Sequence, residues 1–431
     1  MFFHSRSSET LNKTSNVRWF VGLYLTTNGR RLEAGLIGIH GSGSGAPIEV
    51  SQGLTVVLPE KIVSQVREIN ENNGLCFGKD AFLNHVKQEK STPKHEKTQR
   101  LVPKILQEQM LEIQVELVHE LLNKSGVAPD SVFAVGVHGP GDLGNFHSDI
   151  FWNSAAVASR TGLNMVDGFA EMDRAVSGNG SPLIPLPMWI LMHSASRHRL
   201  LIDLGQQIRV TFLPSAGHAT KEQIQHDILG PCGLLIDPLA AKLSEGEQTF
   251  DEGGRLTVQG LLIPELAEFW SDNLVLRDSN SLLAEGIQKA KAKEWSLRDL
   301  LCTAVHCIQN KTATFIKEHY EPLLEEVEFF VTGGCQHHGL LMKQLRQELQ
   351  VQKLQPLGTA QFSCNTFDAL CVAVLTYLAV DQIPGNLPHL THADTTAVLG
   401  RFTPGTPQNW LRLLQCMAGV KPAVRTLRSA M

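Results

Sequence analysis

Several features that would point to particular classes of protein are missing from this sequence. Lys and Arg total 38 against 43 Asp and Glu, and the net charge of -5 provides no basic field for holding nucleic acid or anionic lipid. The longest apolar run, Ala369–Val380, contains a threonine and is far too short for a membrane span. The chain carries no Walker loop and no dinucleotide fingerprint. We therefore expect no nucleic-acid or membrane partner.

The cysteines form no recognisable framework. The chain has eight, without a Cys-x-x-Cys pair and without the dense spacing of a disulfide-bonded secreted domain. The first residues place two Phe before a polar stretch and lack the continuous apolar core of a signal peptide. We expect reduced thiols and a cytoplasmic protein.

Length and composition indicate a folded protein. Dividing 431 residues by roughly 150 residues per domain predicts two or three domains. A hydrophobic content of 42% with 19% charged residues excludes a disordered chain.

Two similar hairpins suggest two related domains. Trp19–Leu25 and Leu32–Ile39 have the character of strands joined by a polar turn. Arg199–Leu204 and Ile208–Leu213 repeat this pattern around a short turn that contains glycine.

Helices alternate with further strands. Apolar residues recur at steps of three and four between Pro103 and Gly126, which predicts an amphipathic helix with a Pro start and a Gly stop. Ser131–His138 is typical of a buried strand, and Leu297–Glu318 followed by Glu328–Thr332 repeats the order of helix and strand. This mixture predicts the α/β class.

The expected domains are an N-terminal α/β domain over residues 17–200 and a C-terminal one over residues 201–410, with an approximate boundary and a C-terminal segment able to cross back. The segment His85–Arg100 is highly charged and broken by Pro93, which is typical of a solvated loop.

The richest candidate for chemistry surrounds Asp173. This residue supplies a carboxylate just before Gly178, Asn179 and Gly180, where two glycines that bracket an Asn permit close approach of the backbone to a ligand. A surface turn after a strand explains the same residues.

A second candidate is the turn at Gly333 and Gly334. It follows a strand and precedes a probable helical segment, so its main-chain amides could meet a nucleotide. Metal binding by Cys335, His337 and His338 competes with this interpretation, but adjacent histidines on a helix point about a hundred degrees apart.

Two other groups are less specific. Gly230 lies in a glycine-rich bend that opens an apolar helix. Cys302, His306 and Cys307 lie on an apolar-periodic helix, where core packing is favoured over metal ligation or a nucleophile and base pair.

The order of these motifs resembles the anhydro-N-acetylmuramic acid kinase family. The resemblance runs from about Val21 to Pro404. It rests on the segments Ser154–Pro185, His138–Gly139, Asp203–Gly205, Gly230–Pro231, Thr332–Gly334, Gly385–Pro388 and Leu399–Gly400.

This resemblance implies the actin-like sugar-kinase fold, with two α/β domains on five-stranded mixed sheets and with ATP and sugar in the cleft. It implies ATP-dependent hydrolytic ring opening and 6-phosphorylation of an anhydro amino sugar, as in cell-wall sugar recycling, by a homodimer. Asp173 matches the family's catalytic Asp and would take a proton from the attacking water, while fixed amides and a metal stabilise the transferred group.

The remaining roles are implied in the same way. Gly333 and Gly334 match the adenosine-side turn, and Gly205 and Gly230 match bends near the phosphates. His138 and Gly139 match the start of the family's His-Gly-Gln-Thr motif on the sugar side.

The chain also departs from the family. The first phosphate loop, Ser-Gly-Thr-Ser-x-Asp-Gly, falls on Leu25–Arg31, where Thr27 is retained and Arg30 occupies the position of the metal-side Asp. An Arg can grip a phosphate but cannot hold Mg²⁺. Gln-Thr becomes Pro140-Gly141, and the Asp-Phe-Arg before the catalytic Asp becomes Gly168-Phe169-Ala170.

Two hypotheses follow. In the first, the chain is a working kinase in which remodelled loops still position ATP, which retention of Asp173 with Gly178 and Gly180 supports. In the second, it is a catalytically impaired relative that binds a sugar, a nucleotide or a partner chain. Loss of the phosphate loop supports the second, because phosphoryl transfer depends on positioning and charge stabilisation.

Overall fold

The structure is a computed structural model that describes residues 17–26, 28–72, 104–139, 151–217, 220–274, 279–351, 353–358 and 363–419. The chain divides into two compact units. One takes its described residues from Met1–Arg67, Arg100–Met192 and Gly358–Met431, and the other from Glu68–Gln99 and His193–Leu357.

The strands of the described residues form two sheets. In chain order they are β1 (Val17–Leu25), β2 (Arg31–His40), β3 (Ile48–Val57), β4 (Val132–His138), β5 (Met165–Asp167), β6 (His198–Leu204), β7 (Gln207–Leu213), β8 (Gln225–Pro231), β9 (Val327–Thr332), β10 (Gln355–Pro356) and β11 (Arg401–Thr403).

Helices connect and cover these strands. They are α1 (Glu60–Asn72), α2 (Lys104–Ser125), α3 (Ser154–Thr161), α4 (Phe169–Arg174), α5 (Pro185–Met192), α6 (Gly233–Leu243), α7 (Pro264–Asn273), α8 (Ser279–Lys293), α9 (Leu297–Tyr320), α10 (Gly339–Leu349), α11 (Phe367–Val380), α12 (Pro388–Thr391) and α13 (Pro407–Gly419).

Both sheets repeat one strand order. It is β3-β2-β1-β4-β5 in the first unit and β8-β7-β6-β9-β10 in the second. In the first sheet β1, β2 and β3 are antiparallel to their neighbours in this set, and β4 and β5 run parallel to β1. In the second sheet β6, β7 and β8 are antiparallel in the same way, and β9 and β10 run parallel to β6. The expectation of five strands in both domains is wrong for the first, because β11 pairs with β5 and adds a sixth.

The elements predicted from hydrophobic periodicity are confirmed. The predicted helix between Pro103 and Gly126 is α2, whose apolar residues at steps of three and four, including Leu106, Met110 and Leu117, are buried. Both predicted hairpins are present as β1–β2 and β6–β7, each at the centre of its own sheet. The mixture of helices and strands is the α/β class that the sequence predicts.

The apolar run near the C-terminus is a core helix of the first unit. α11 is buried along its length, and it lies so close to the sheet that a Cβ at Gly22 would be 2.0 Å from the Ala369 carbonyl oxygen. A Cβ at Gly136 would lie 1.8 Å from Thr376 Oγ1. Across the described ranges, no helix combines the length and apolar character needed to cross a membrane.

The C-terminal segment therefore belongs to the first unit. The sequence-based range of 201–410 for the second domain differs from this division, in which the chain returns to the first unit after Leu357. The physical reason is that α11 covers β1 and β2 while β11 completes the edge of the same sheet.

A buried polar network stabilises the start of α10 in the second unit. Thr257 Oγ1 donates to Asp251 Oδ2 at 2.6 Å, and His338 Nε2 lies 3.4 Å from the same oxygen. Burial alone would raise the pKa of Asp251, but hydrogen bonds from His338, Thr257 and the amides of Leu256 and Thr257 lower it to about 2. His338 Nδ1 also accepts from the Leu341 amide, which caps the helix.

We predict that Asp251→Asn lowers the free energy of unfolding at pH 7. Because the folded-state pKa of about 2 lies below the ordinary 3.8, this carboxylate stabilises the fold above about pH 4, and the contribution is lost as the pH falls toward 2. Denaturant unfolding of both proteins between pH 7 and pH 3 should show that the difference between their free energies of unfolding becomes smaller as the pH falls. Glu252→Gln, at an exposed position beside Arg255, is the control. A difference in free energy of unfolding that does not change with pH would contradict the prediction.

Candidate active site

Asp173 is buried in the first unit and held by three hydrogen bonds. It lies on the short helix α4, which follows β5, and its residue exposure is 0%. Asn386 Nδ2 and Thr391 Oγ1 donate to Oδ1 at 2.7 and 2.9 Å, and the Gly180 amide donates to Oδ2 at 2.8 Å. A carboxylate offers about four lone-pair sites, so one site on Oδ2 remains.

The two glycines after Asp173 are required by this geometry. A Cβ at Gly178 would lie 2.1 Å from Asp173 Oδ2, so any side chain there would displace the carboxylate. Gly180 has a φ of 77°, and a Cβ there would meet the Arg174 guanidinium at 2.8 Å. The segment is therefore built around the carboxylate.

The other sequence-predicted sugar-side residues lie in the same unit. The backbone amide of Asn179 donates a hydrogen bond to the Thr391 carbonyl at 2.7 Å, and the residue is half-buried. His138 ends β4 and is buried, with its ring 6.1 Å from the ring of Phe169, the first residue of α4. The helix α4 therefore contacts His138 through its first residue and carries Asp173 further along.

Gly139 follows His138 in a left-handed conformation. Its φ is 84°, and a Cβ there would lie 2.4 Å from the Leu25 carbonyl oxygen. Its own carbonyl accepts from Trp152 Nε1 at 2.6 Å. The residues that follow, including Pro140 and Gly141, lie outside the described residues.

The predicted nucleotide-side glycines lie in the second unit, and two of them are in contact. A Cβ at Gly333 would lie 2.4 Å from the Gly205 amide nitrogen, so the β6–β7 turn and the turn after β9 touch through their backbones. The Gly233 amide at the start of α6 donates to the Gly205 carbonyl at 2.9 Å. Gly334 is exposed, and a Cβ there would meet nothing within 4 Å.

Gly230 is not part of that contact. It pairs with Ile208 near the end of β8, has a φ of 134°, and a Cβ there would lie 2.8 Å from the Leu274 carbonyl oxygen. Its role in the second unit is to let the chain after α7 approach the strand.

Two carboxylates beside the Gly205 turn were given no role from the sequence. Asp203 ends β6 one residue before the turn, and its Oδ1 would lie 3.1 Å from a Cβ at Gly205. Asp237 on α6 accepts from Gln206 Nε2 at 3.3 Å. Asp203 stands next to the turn in the sequence, but Asp237 lies about thirty residues further on, and only the fold brings it there.

The turn between β1 and β2 is closed by its own side chains. Thr26 Oγ1 donates to Asn28 Oδ1 at 2.9 Å, and the Arg31 amide donates to Thr26 Oγ1 at 3.1 Å. The amide of Arg30 donates to Asn28 Oδ1 at 3.0 Å. Thr27, the retained residue of the phosphate loop, lies outside the described residues, as does the charged segment 85–100.

The alternative sites have structural explanations. Cys307 is buried in α9, and burial raises the pKa of its thiol to about 11, which disfavours the nucleophilic thiolate. His338 is buried in the Asp251 network, whereas its neighbour His337 is exposed. Over the described part of the chain, no group of three or more His, Cys, Asp or Glu is arranged to hold a metal ion.

The two units, each with a mixed sheet of order 3-2-1-4-5, define a two-domain protein of the actin-like α/β fold. A model of the anhydro-N-acetylmuramic acid kinase family matches residues 84–405, more than half of the chain. The chain belongs to this family.

Curated relatives agree with that assignment. The anhydro-N-acetylmuramic acid kinase of Synechococcus elongatus is 29% identical over 256 residues, which cover 57% of this chain and 68% of the relative. That of Caldanaerobacter subterraneus subsp. tengcongensis is 22% identical over 408 residues, 90% of this chain and 97% of the relative. Among solved structures, the activator of the 2-hydroxyisocaproyl-CoA dehydratase from Clostridium difficile aligns with a TM-score of 0.40 at 12% identity, over 83% of this chain and 95% of that one, too loosely to carry an argument.

We predict that Thr391→Val destabilises the first unit. The substitution keeps the side-chain shape but removes one donor to the buried carboxylate, and a hydrogen bond to a charged group is worth about 1.5–3 kcal/mol. Denaturant unfolding at pH 7 measures the loss. Thr395→Val, at an exposed position four residues later, should change stability by less than about 0.5 kcal/mol. Equal effects of the two variants would show that the Asp173 contact contributes nothing.

Proposed function

We propose that this chain catalyses ATP-dependent hydrolytic opening and 6-phosphorylation of 1,6-anhydro-N-acetylmuramic acid. The observation that carries the proposal is the environment of Asp173, whose carboxylate keeps one lone-pair site on Oδ2 beside Gly178. Membership of the kinase family supports the substrate and the phosphoryl donor.

In the proposed reaction, Asp173 Oδ2 takes a proton from a water that attacks the anomeric carbon. The bond between that carbon and O6 breaks, and the released O6 attacks the γ-phosphorus as ADP leaves. Asn386 and Thr391 hold Oδ1 and so aim Oδ2 toward the water. Because Asp173 is enclosed, a neighbouring segment has to move before water reaches Oδ2.

The second unit offers a fitting place for ATP, which supplies the γ-phosphoryl group when bound. The contact between Gly205 and Gly333 leaves no room for a side chain at either position, so the two turns meet through their backbones. The open space at Gly334 allows a ligand to lie against the backbone. The start of α6 lies directly against this turn, because the Gly233 amide donates to the Gly205 carbonyl.

Mg²⁺ has candidate ligands beside the same turn. Mg²⁺ is commonly held by one or two carboxylates together with substrate phosphates. Asp203 and Asp237 both flank the Gly205-Gln206 turn and would hold the ion there.

A second candidate function is favoured by the enclosure of Asp173. Its three hydrogen bonds and 0% exposure also suit a carboxylate that only stabilises the fold of a sugar- or nucleotide-binding relative. The closed turn around Thr26 and Asn28 agrees with this second candidate, because its side chains bond one another.

The deciding experiment is phosphorylation of 1,6-anhydro-N-acetylmuramic acid by the purified chain with ATP and Mg²⁺, beside Asp173→Asn. We expect product from the wild type and a fall in kcat of at least about a hundredfold in the variant, since general-base catalysis contributes about 10²–10⁴-fold. The amide in Asp173→Asn would face the Gly180 amide, so some loss of stability is also expected.

A binding measurement separates the two effects. Asp173→Asn should still unfold cooperatively and bind ATP with the Kd of the wild type, because the proposed ATP contacts lie in the second unit. A wild type that is folded and binds ATP but forms no product contradicts the kinase proposal and favours the binding protein.

The ATP site is tested by Gly334→Val. A Cβ at this position meets no protein atom, so the melting temperature should stay unchanged, whereas ATP affinity should fall about tenfold because the side chain would occupy the proposed nucleotide space. Gly419→Val, where a Cβ also meets nothing within 4 Å, is the matched control. Calorimetric titration with ATP gives the affinities, and equal Kd values for all three proteins would refute this location.

A further inference from the structure

Two cysteines of the second unit lie in contact beside the Gly205 turn. The thiol of Cys232 forms a hydrogen bond with the thiol of Cys335, although the two residues are far apart in the sequence. Both side chains pack against the hydrophobic core of this unit. Cys232 is 0% exposed, whereas Cys335 is only half-buried. The pair therefore consists of one enclosed sulfur and one that solvent can reach.

The backbone around Cys232 is held firmly. Its amide donates to the Gln206 carbonyl at 2.9 Å, and its carbonyl accepts from the amides of Leu235 and Ile236 at 2.9 and 3.1 Å. Cys232 is thus fixed between the β6–β7 turn and the first turn of α6. Its thiol stays in one place while a partner sulfur approaches.

The backbone before Cys335 has room to adjust. Gly333 is anchored, because a Cβ there would lie 2.4 Å from the Gly205 amide nitrogen. Gly334 is not, since a Cβ there would meet nothing within 4 Å, and glycine has the greatest backbone freedom. Cys335 can therefore make the small shift that brings two sulfur atoms from contact to the disulfide bond length of about 2.05 Å.

Cysteines elsewhere in the described ranges have other partners. Cys307 Sγ donates to the Ala267 carbonyl at 3.6 Å, and Cys416 Sγ accepts from the Arg18 guanidinium at 3.3 Å. An intramolecular disulfide closes only when a second thiol can attack the first, so contact between two thiols is the arrangement that this chemistry needs. Cys232 and Cys335 have that arrangement.

We propose that Cys232 and Cys335 are a redox-active pair that low-molecular-weight disulfides convert reversibly to an intramolecular disulfide, and that this bond weakens ATP binding. The effect on ATP rests on the proposed function, which places the nucleotide against Gly334. The formation of the disulfide does not depend on it.

The reaction proceeds by two exchanges. The Cys335 thiol loses its proton to solvent and attacks one sulfur of the small disulfide, whose S–S bond breaks to release a small thiolate that takes a proton from solvent. Cys232 Sγ then attacks Cys335 Sγ, and its proton passes to the second small thiolate as that group leaves. Two protein thiols and one small disulfide thus become one protein disulfide and two small thiols.

The disulfide would act on the proposed nucleotide site through the turn after β9. Bond formation draws Cys335 and the adjoining Gly334 toward Cys232 at the start of α6. The open space beside Gly334 becomes smaller, and the turn loses the freedom to adapt to a ligand. We therefore expect the oxidised protein to bind ATP about tenfold more weakly than the reduced protein.

Peptide mapping of the full chain after incubation with excess glutathione disulfide tests the bond. Free thiols are first blocked with an alkylating agent. Trypsin should then release Cys232 in the peptide 222–242 and Cys335 in the peptide 318–343, and neither peptide contains another cysteine. We expect the two peptides to be linked in the wild type and to separate when a reducing agent is added.

Three variants identify the role of each sulfur. Cys232→Ser should stop at the mixed disulfide and keep glutathione on Cys335. Cys335→Ser should leave Cys232 unmodified, because that thiol is 0% exposed, and this variant decides the outcome if Cys232→Ser folds poorly. Cys302→Ser is the matched control, since it removes another half-buried thiol of the second unit, and it should link the two peptides as the wild type does.

Calorimetric titration with ATP measures the consequence. The Kd of the linked wild type should be about ten times that of the reduced protein and should recover on reduction. Cys335→Ser treated with glutathione disulfide should keep the Kd of its untreated form.

The results separate this inference from the proposed function. A wild type that stays reduced, or that carries glutathione on Cys335 without linking the two peptides, overturns the redox pair. A linked protein with the ATP affinity of the reduced one overturns the effect on ATP. A reduced wild type that binds no ATP contradicts the proposed function, whereas linked peptides would still support the disulfide.

Discussion

A single buried carboxylate joins distant parts of the first unit. Asp173 accepts hydrogen bonds from its own loop at Gly180 and from Asn386 and Thr391, which lie 213 and 218 residues further along the chain. A buried charge without partners would be strongly destabilising, so the C-terminal segment must dock if this charge is to be accommodated. The residue with the strongest claim to catalysis is therefore also the residue that fixes where the last part of the chain packs.

The sequence was a good guide to the centre of the candidate site and a poor guide to its support. Asp173, Gly178 and Gly180 could be singled out because an acid beside two glycines is a local pattern, and the structure brings all three into direct contact. The partners Asn386 and Thr391 carry no local signal that links them to Asp173. Asn386 lies in the segment Gly385–Pro388, and the hydrogen bond from its side-chain amide to Asp173 fixes the position of that segment.

The same contrast applies to the fold. The helix α2 was predictable because its apolar spacing reflects burial on one face, and the hairpin β1–β2 was predictable because its apolar runs reflect strands buried on both faces. The three-residue strands β5 and β11 were not, since β5 is ordered by pairing with β4 and β11, and β11 by pairing with β5 across more than 230 residues of sequence. Arg401 illustrates the result, because its contact with Asp167 exists only after that pairing forms.

The division of the first unit between both ends of the chain bears on the order of events during synthesis. The second unit's main segment, His193–Leu357, is continuous and leaves the ribosome before α11 and β11 have been made. Until then the first sheet lacks the helix that covers Gly22 and Gly136, and its apolar face stays open. The usual order, in which the N-terminal domain folds first, is reversed here. The nascent N-terminal part of the first unit must therefore stay competent to fold until α11 and β11 have been made.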